Sequence, residues 1–131
     1  MFDSLEIFSM ANGLARHSGA RQTLVARNIA HADTPGFRQR DLASFAESYR
    51  SGDVGGSTGL QRTRATHLQD HPIAGEFRET VVKSVDSDPN GNSVSLETEI
   101  LKTAEIRQQH EMALSVYRHG MNMLRTSLGR R

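Results

Sequence analysis

Both ends of the chain carry an apolar repeat of seven, and this constrains the fold more than any other feature. Phe8, Ala11, Ala15, Ser18, Gln22, Val25, Ile29 and Ala32 recur at alternating intervals of three and four. A parallel row of Ile7, Met10, Leu14, His17, Arg21, Leu24 and Asn28 widens that stripe. Near the other end Leu96, Ile100, Thr103, Arg107, His110, Leu114, Tyr117, Met121, Leu124 and Leu128 follow the same rhythm. Such alternation keeps one side of an α-helix against a second helix. It predicts one helix over about 3–31 and another over about 96–128, roughly 43 and 50 Å long.

Local signals agree with these bounds. Asp3 with Glu6 three residues on has the form of a capping box. Asp33-Thr34-Pro35-Gly36 is a stop, because Pro35 disfavours helical geometry at Thr34 and Pro-Gly suits the centre of a type II turn. Ser95 is the expected cap of the second helix, with Glu97 and Glu99 in its first turn to complement the dipole. Arg125, Arg130 and Arg131 lie at or beyond its far end. Gly13 and Gly120 are weak points, each costing about 1 kcal/mol against Ala.

The middle of the chain is different. Arg38 to Tyr49 has the pattern of a short helix capped by Asp41, with Leu42, Phe45 and Tyr49 on one face. Residues 51–59 hold four Gly in nine and read as a flexible loop. Phe77 to Val82 has the makings of a short strand, and Asp88-Pro89-Asn90-Gly91-Asn92 is a turn cluster. The expected organisation is therefore one structural unit in three parts: 1–37, the first helix and its exit turn; 38–92, a variable, loop-rich middle; and 93–131, the second helix. The expected fold class is mainly α, two long terminal helices pairing as a coiled-coil-like hairpin around an irregular, partly flexible middle. Apolar residues make up only 36% of the chain and there is no Trp, so a thick core is excluded. Each wide stripe would leave apolar surface on a lone hairpin, which points to assembly with other subunits.

The composition also narrows the chemistry. With no Cys, disulfides, thiolate nucleophiles and Cys-type zinc sites are excluded. The net charge is +1, divided as +2 over 1–40, −3 over 41–92 and +2 over 93–131, with no basic run of the kind that grips nucleic acid or a membrane surface. The beginning of the chain lacks the basic and apolar regions of a cleaved signal peptide. His67 and His71, four apart with Asp70 between, have a metal-ligand interval, but Pro72 follows directly and a solvated loop is the expected reading. His110 on the seam is expected as a tolerated polar layer. No nucleophile elbow, P-loop or dinucleotide motif occurs, and Glu97/Glu99 and Asp86/Asp88 sit where caps and turns explain them. We expect no enzyme, no cofactor, no metal, no nucleic acid and no small-molecule substrate.

One segment goes further. Asn28-Ile29-Ala30-His31-Ala32-Asp33-Thr34-Pro35-Gly36-Phe37 resembles the signature of the bacterial flagellar rod and hook proteins. That signature is an Asn-Ile-Ala-Asn core, one residue, Asn/Asp-Thr, a variable or Pro position, and Gly-Tyr/Phe. Asn28, Ile29, Ala30, Asp33, Thr34, Gly36 and Phe37 match; His31 replaces the second Asn; Pro35 and the short length fit the proximal-rod branch. Asn90-Gly91-Asn92-Ser93-Val94-Ser95-Leu96-Glu97 is similar to the family's Gly-Asn-x-Val-Asp-Leu-Glu lead-in to its C-terminal helix.

The physical reading of the first motif is a fixed helix exit. Asn28 and Asp33 can bond backbone groups freed at the helix end, Pro35-Gly36 reverses the chain, and Phe37 folds back as a latch. The resemblance implies a structural subunit of the flagellar rod in the periplasm, exported without a cleaved signal peptide. It would transmit torque and line the export channel. Its partners would be other rod proteins, the rod-to-membrane-ring adaptor, the flagellar type III export apparatus and copies of itself. Phe8, Leu14, Val25, Ile29, Leu114, Tyr117, Leu124 and Leu128 are the expected assembly seam. The alternative is a cytoplasmic helical-hairpin module such as an export chaperone or adaptor, for which the turn motif would be accidental.

Overall fold

A computed structural model describes residues 2–50, 77–82 and 89–129. The order of elements is α1 (Phe2–Ala30), β1 (Arg40–Leu42), α2 (Phe45–Arg50), β2 (Glu79–Val81) and α3 (Leu96–Ser127). The protein is mainly α-helical, with its two long helices packed on each other. Phe8 meets Gly120 and Asn28 meets Glu99, so α1 and α3 run antiparallel. The loop expected over 51–59 and the histidines His67 and His71 lie outside the described residues. No described helix is long and apolar enough to cross a membrane.

The heptad explains why the helices pair, but on α3 the packed row is not the one with the largest side chains. Glu99, Ile106, Ala113 and Gly120, seven apart, are the buried residues of α3. Leu96, Ile100, Leu101, Leu114, Tyr117, Met121 and Leu128 are exposed. The reason is distance between the helix axes. Opposite this row α1 brings Ala11, Ser18 and Val25, also seven apart and all buried. Small residues on both sides let the backbones approach, and the bulky neighbours are pushed to the flanks.

Gly120 shows the same constraint at one point. A Cβ there would stand 2.9 Å from Phe8 Cζ, so Phe8 lies in a notch that only glycine leaves open. The Phe8 ring also meets Tyr117 edge-on, centroids 5.2 Å apart. The helical weak point seen in the sequence is thus a packing requirement.

Between the helices the chain forms a small arm against α1. β1 and β2 pair antiparallel, Arg40 with Val81, Asp41 with Thr80 and Leu42 with Glu79. The expected helix over Arg38–Tyr49 therefore starts later and follows a strand. Ser44, not Asp41, caps α2: its Oγ accepts the Glu47 N–H at 3.3 Å. Asp41 lies in β1, opposite Thr80, and its carboxylate faces Arg21 of α1.

The Phe8–Gly120 notch can be tested by urea unfolding. Gly120→Val should cost about 1–3 kcal/mol through overpacking. Phe8→Ala in the same chain should recover part of that loss, giving a coupling above about 0.5 kcal/mol. Strictly additive effects would show that the two residues do not share a site.

Candidate functional site

The signature at the end of α1 and the motif that leads into α3 meet in space. α1 first tightens, with the His31 N–H donating to both Arg27 and Asn28 carbonyls and the Ala32 N–H to Ile29. The chain then turns at Thr34–Phe37, where the Phe37 N–H reaches the Thr34 carbonyl at 3.3 Å and Gly36 has φ +72°. This is the turn that Pro35-Gly36 predicts. Gly91, φ +77°, lies against it, and a Cβ on Gly91 would stand 3.6 Å from Gly36 Cα. The two strands of chain are then stitched together. The Gly36 N–H donates to the Asn90 carbonyl at 3.0 Å, the Ser93 N–H to Phe37 at 3.1 Å, and the Gln39 N–H to Ser93 Oγ at 2.8 Å.

The carbonyls of the exit turn just after α1 are held by Asn92, about sixty residues further along the chain. Its Nδ2 donates to His31 and Thr34 carbonyls, each at 3.0 Å, and to Ala32, while its Oδ1 accepts the Val94 N–H at 2.8 Å. This is the role the sequence suggested for Asn28 and Asp33. Asn28 instead reads β1: its Oδ1 accepts the Arg40 N–H at 3.2 Å and its Nδ2 donates to the Arg40 carbonyl at 2.8 Å. Asp33 is exposed. Phe37 folds back onto His31, rings stacked 4.6 Å apart, and His31 Nδ1 lies 3.2 Å from Thr34 Oγ1.

Behind the turn lies a buried polar cluster. Glu99 is fully buried. Its Oε2 accepts Asn28 Nδ2 at 2.9 Å; its Oε1 accepts Gln39 Nε2, and Lys102 Nζ at 2.9 Å. The expectation that Glu99 merely faces the helix dipole is thus corrected, because the chain folds Gln39 and Asn28 over it. Ser95 does occupy the cap position, but its side chain makes no cap bond. Next to Glu99, Arg21 Nε and Nη2 grip Asp41 at 2.9 and 3.3 Å, and Lys102 reaches the same carboxylate at 3.2 Å. Glu105 stands 3.7 Å from Arg21. Burial alone would raise the Asp41 carboxyl, but the hydrogen bond and charge of Arg21, the Leu42 N–H and Lys102 together hold it below its ordinary value. Arg21 is correspondingly raised, chiefly by its bond to Asp41.

Of the signature residues, Asn28 is buried and Phe37 half-buried, while Ile29, Ala30, Asp33, Thr34, Pro35 and Gly36 lie exposed on the outer side of the turn. Of the expected seam residues, Val25 is buried and Phe8, Leu14 and Leu124 are half-buried; Ile29, Leu114, Tyr117 and Leu128 are exposed. Phe8, Ala11, Ala15, Ala113, Leu114 and Tyr117 line an open groove of about 570 Å³ between the helices. Among the described residues no group of three or more His, Asp or Glu could hold a metal ion. The arrangement is a clasp that ties the exit of α1 to the start of α3. Gln39, Asp41, Asn92 and Glu99 are its members that sequence reading placed elsewhere. The one legible signal was the heptad spacing of Glu99 with Ile106.

Removing the acceptor should open the clasp. Glu99→Ala leaves Lys102 and two buried amides without it and should cost about 3–5 kcal/mol, with Glu99→Gln costing less in the same urea titration. Because the folded Asp41 carboxyl is lowered, its contribution is full above the unfolded value of about 3.9 and fades as pH falls through the folded one. The gap in stability between the parent chain and Asp41→Asn, about 1.5–3 kcal/mol, should therefore hold at neutral pH and close in strong acid.

No family model matches the chain. It is 29% identical to the flagellar basal body rod protein FlgB of Agrobacterium fabrum over 123 residues, covering 92% of this chain and 90% of that protein. It is 30% identical to FlgB of Escherichia coli over 100 residues, 72% of each chain. Against FlgB of Cereibacter sphaeroides it is 31% identical over 112 residues, 82% of each. With the clasp formed by the two motifs and the long helical pair, these relatives show that the chain belongs to the FlgB family of flagellar basal body rod proteins.

Proposed function

We propose that this rod protein is a structural subunit of the proximal rod that assembles through α1 and α3, transmits torque by helix packing and helps line the export channel. The observation that carries this reading is the width of the apolar arc on α3. Around Ala113 and Gly120, the row packed on α1, Leu114, Met121 and Leu128 lie to one side and Met112, Val116 and Met123 to the other. All six are exposed. Glu111, Ser115, Arg118, Asn122 and Arg125 take the opposite face. One neighbour covers the middle of the arc, and both flanks remain for others. A helix apolar over so much of its circumference is suited to burial among several helices.

The two flanks differ: Leu114 and Tyr117 on the first line the groove shared with α1, while Met112, Val116 and Met123 make up the second. Contacts between unlike faces repeat head to tail, and where the rotation between copies does not close a ring they build an open helical assembly. The exposed signature residues stand at one end of this surface and the seam residues Leu114, Tyr117, Leu124 and Leu128 along it. In this reading segments 1–37 and 93–131 form the packing unit, and 38–92 is the part carried by it. The subunit meets copies of itself, other rod proteins and the rod-to-membrane-ring adaptor, after passage through the type III apparatus without a cleaved signal peptide.

Deleting the gene should abolish swimming and leave basal bodies without a rod, with the protein present in those of the parent strain. Loss of swimming with the protein absent from parental basal bodies would instead make it an export accessory. Complementation by Met112→Asp with Met123→Asp separates assembly from folding. Both positions are exposed, so each change should alter monomer stability by no more than about 0.5 kcal/mol, yet swimming should not return. Restored swimming would overturn the role of that flank.

A further inference from the structure

We propose that His17 is a proton-operated latch that holds the arm of β1 and α2 against α1 and lets it go in acid. Among the described residues, hydrogen-bonding side chains of α1 reach the β1 side of the arm at Arg40, Asp41 and Ala43. At Arg40 the Asn28 side-chain amide pairs with the backbone, and no titratable group is involved. At Asp41 the Arg21 pair keeps its charges well into the acid range, because that carboxyl is held low. At Ala43 the fastener is His17, whose Nε2 lies 2.9 Å from the carbonyl oxygen. This third point is the one that titrates near neutrality.

The geometry fixes the state of the ring. A carbonyl only accepts, so Nε2 carries the proton and Nδ1 is the bare nitrogen of the neutral imidazole. His17 is 1% exposed and, among the described residues, its Nδ1 has no hydrogen-bond partner. Phe45 of α2 and Phe77, just before β2, meet the ring edge-to-face at 5.7 and 5.0 Å. A second proton would go to Nδ1, creating a charged donor with no acceptor in a dry, aromatic setting.

The charges of the described residues around the ring do not compensate. Arg21, one turn along α1, opposes a second cation; Asp41 on β1 favours it but is engaged by Arg21 and Lys102. Glu105 of α3 stands by Arg21, while Glu79 of β2 sits with Arg40 and Arg27. The charges of α2, Glu47 and Arg50, are exposed. The bond to Ala43 survives protonation and favours it, but burial outweighs it and lowers the basicity of the ring. When the arm lifts, His17 regains water and its ordinary proton affinity, so acid favours the lifted state. The hairpin, held along its length by the buried heptad rows of α1 and α3, stays closed.

Amide exchange on the full chain tests the latch. The arm probes are the Arg40, Ser48 and Val82 amides, bonded to Asn28, Ser44 and Gln39; Ile106 and Ala113 report on α3. After correction for intrinsic exchange, the opening constant of the arm should rise by up to about tenfold between pH 6.5 and 5.5, with α3 unchanged. In His17→Gln, whose amide can still donate to Ala43, that rise should vanish. The NMR titration of the His17 ring should show it neutral below its ordinary value of about 6.5, protonating as the arm opens. A flat arm in the parent chain, or the same rise in His17→Gln, would overturn the latch. Should His17→Gln not fold, the ring decides: protonation near pH 6.5 with the arm still protected also overturns it.

Discussion

The carboxylate of Glu99 is buried completely, and the rest of the architecture is arranged around satisfying it. Taking an ionised carboxylate out of water is costly unless donors replace the water. Here the donors come from three parts of the chain: Asn28 at the end of α1, Gln39 beyond the turn, and Lys102 one turn along α3. They coincide only if α1 stops at residue 30, the chain reverses at Pro35-Gly36, and α3 stands in one register. A slip of α3 by a single residue would carry Glu99 off the buried row and leave the amides of Asn28 and Gln39 without an acceptor. The apolar heptad tolerates several registers; the carboxylate penalises all but one.

The two sequence motifs make sense as halves of that device. The signature after α1 supplies Asn28, the turn and Phe37; the lead-in to α3 supplies Gly91, Asn92 and Ser93, which bond the same turn from the other side. The side chains of Ile29, Ala30, Asp33 and Pro35 are exposed on the outer side of that turn. A subunit that must repeat identically along a rod needs a fixed angle between its helical part and the segment it carries. A clasp of backbone hydrogen bonds around two positive-φ glycines supplies such stiffness, because each residue is held from both strands.

Size misled where backbone proximity decided. The side chains with the greatest apolar area on α3, from Leu96 to Leu128, suggested the row that would face α1. The structure packs Ala113 and Gly120 there, because Phe8 needs the space that a side chain at 120 would take. The bulky residues are thereby released to both flanks, where they are available to other subunits. Similarly, Asp41 looked like a helix cap because its one obvious neighbour in the sequence was an apolar stretch with helical spacing. Its actual partners, Arg21 and Lys102, are 20 residues before it and 61 after it.

Elements governed by local chemistry were legible from residues alone. The long helices follow from periodicity, the turn at Gly36 from the conformations open to Pro and Gly, and membership of the flagellar axial proteins from a motif whose residues are contiguous. The strand at Arg40–Leu42, the burial of Glu99, the holding of the exit turn by Asn92 and the seating of His17 against Ala43 were not. Each depends on groups that are distant along the chain and become neighbours only once the hairpin has closed. Periodicity specifies which side of a helix is apolar, but the approach distance of two backbones and the pairing of buried charges are properties of the packed whole. Tertiary structure alone could therefore assign Ala113 and Gly120 to the contact with α1 and Leu114, Met121 and Leu128 to the surface.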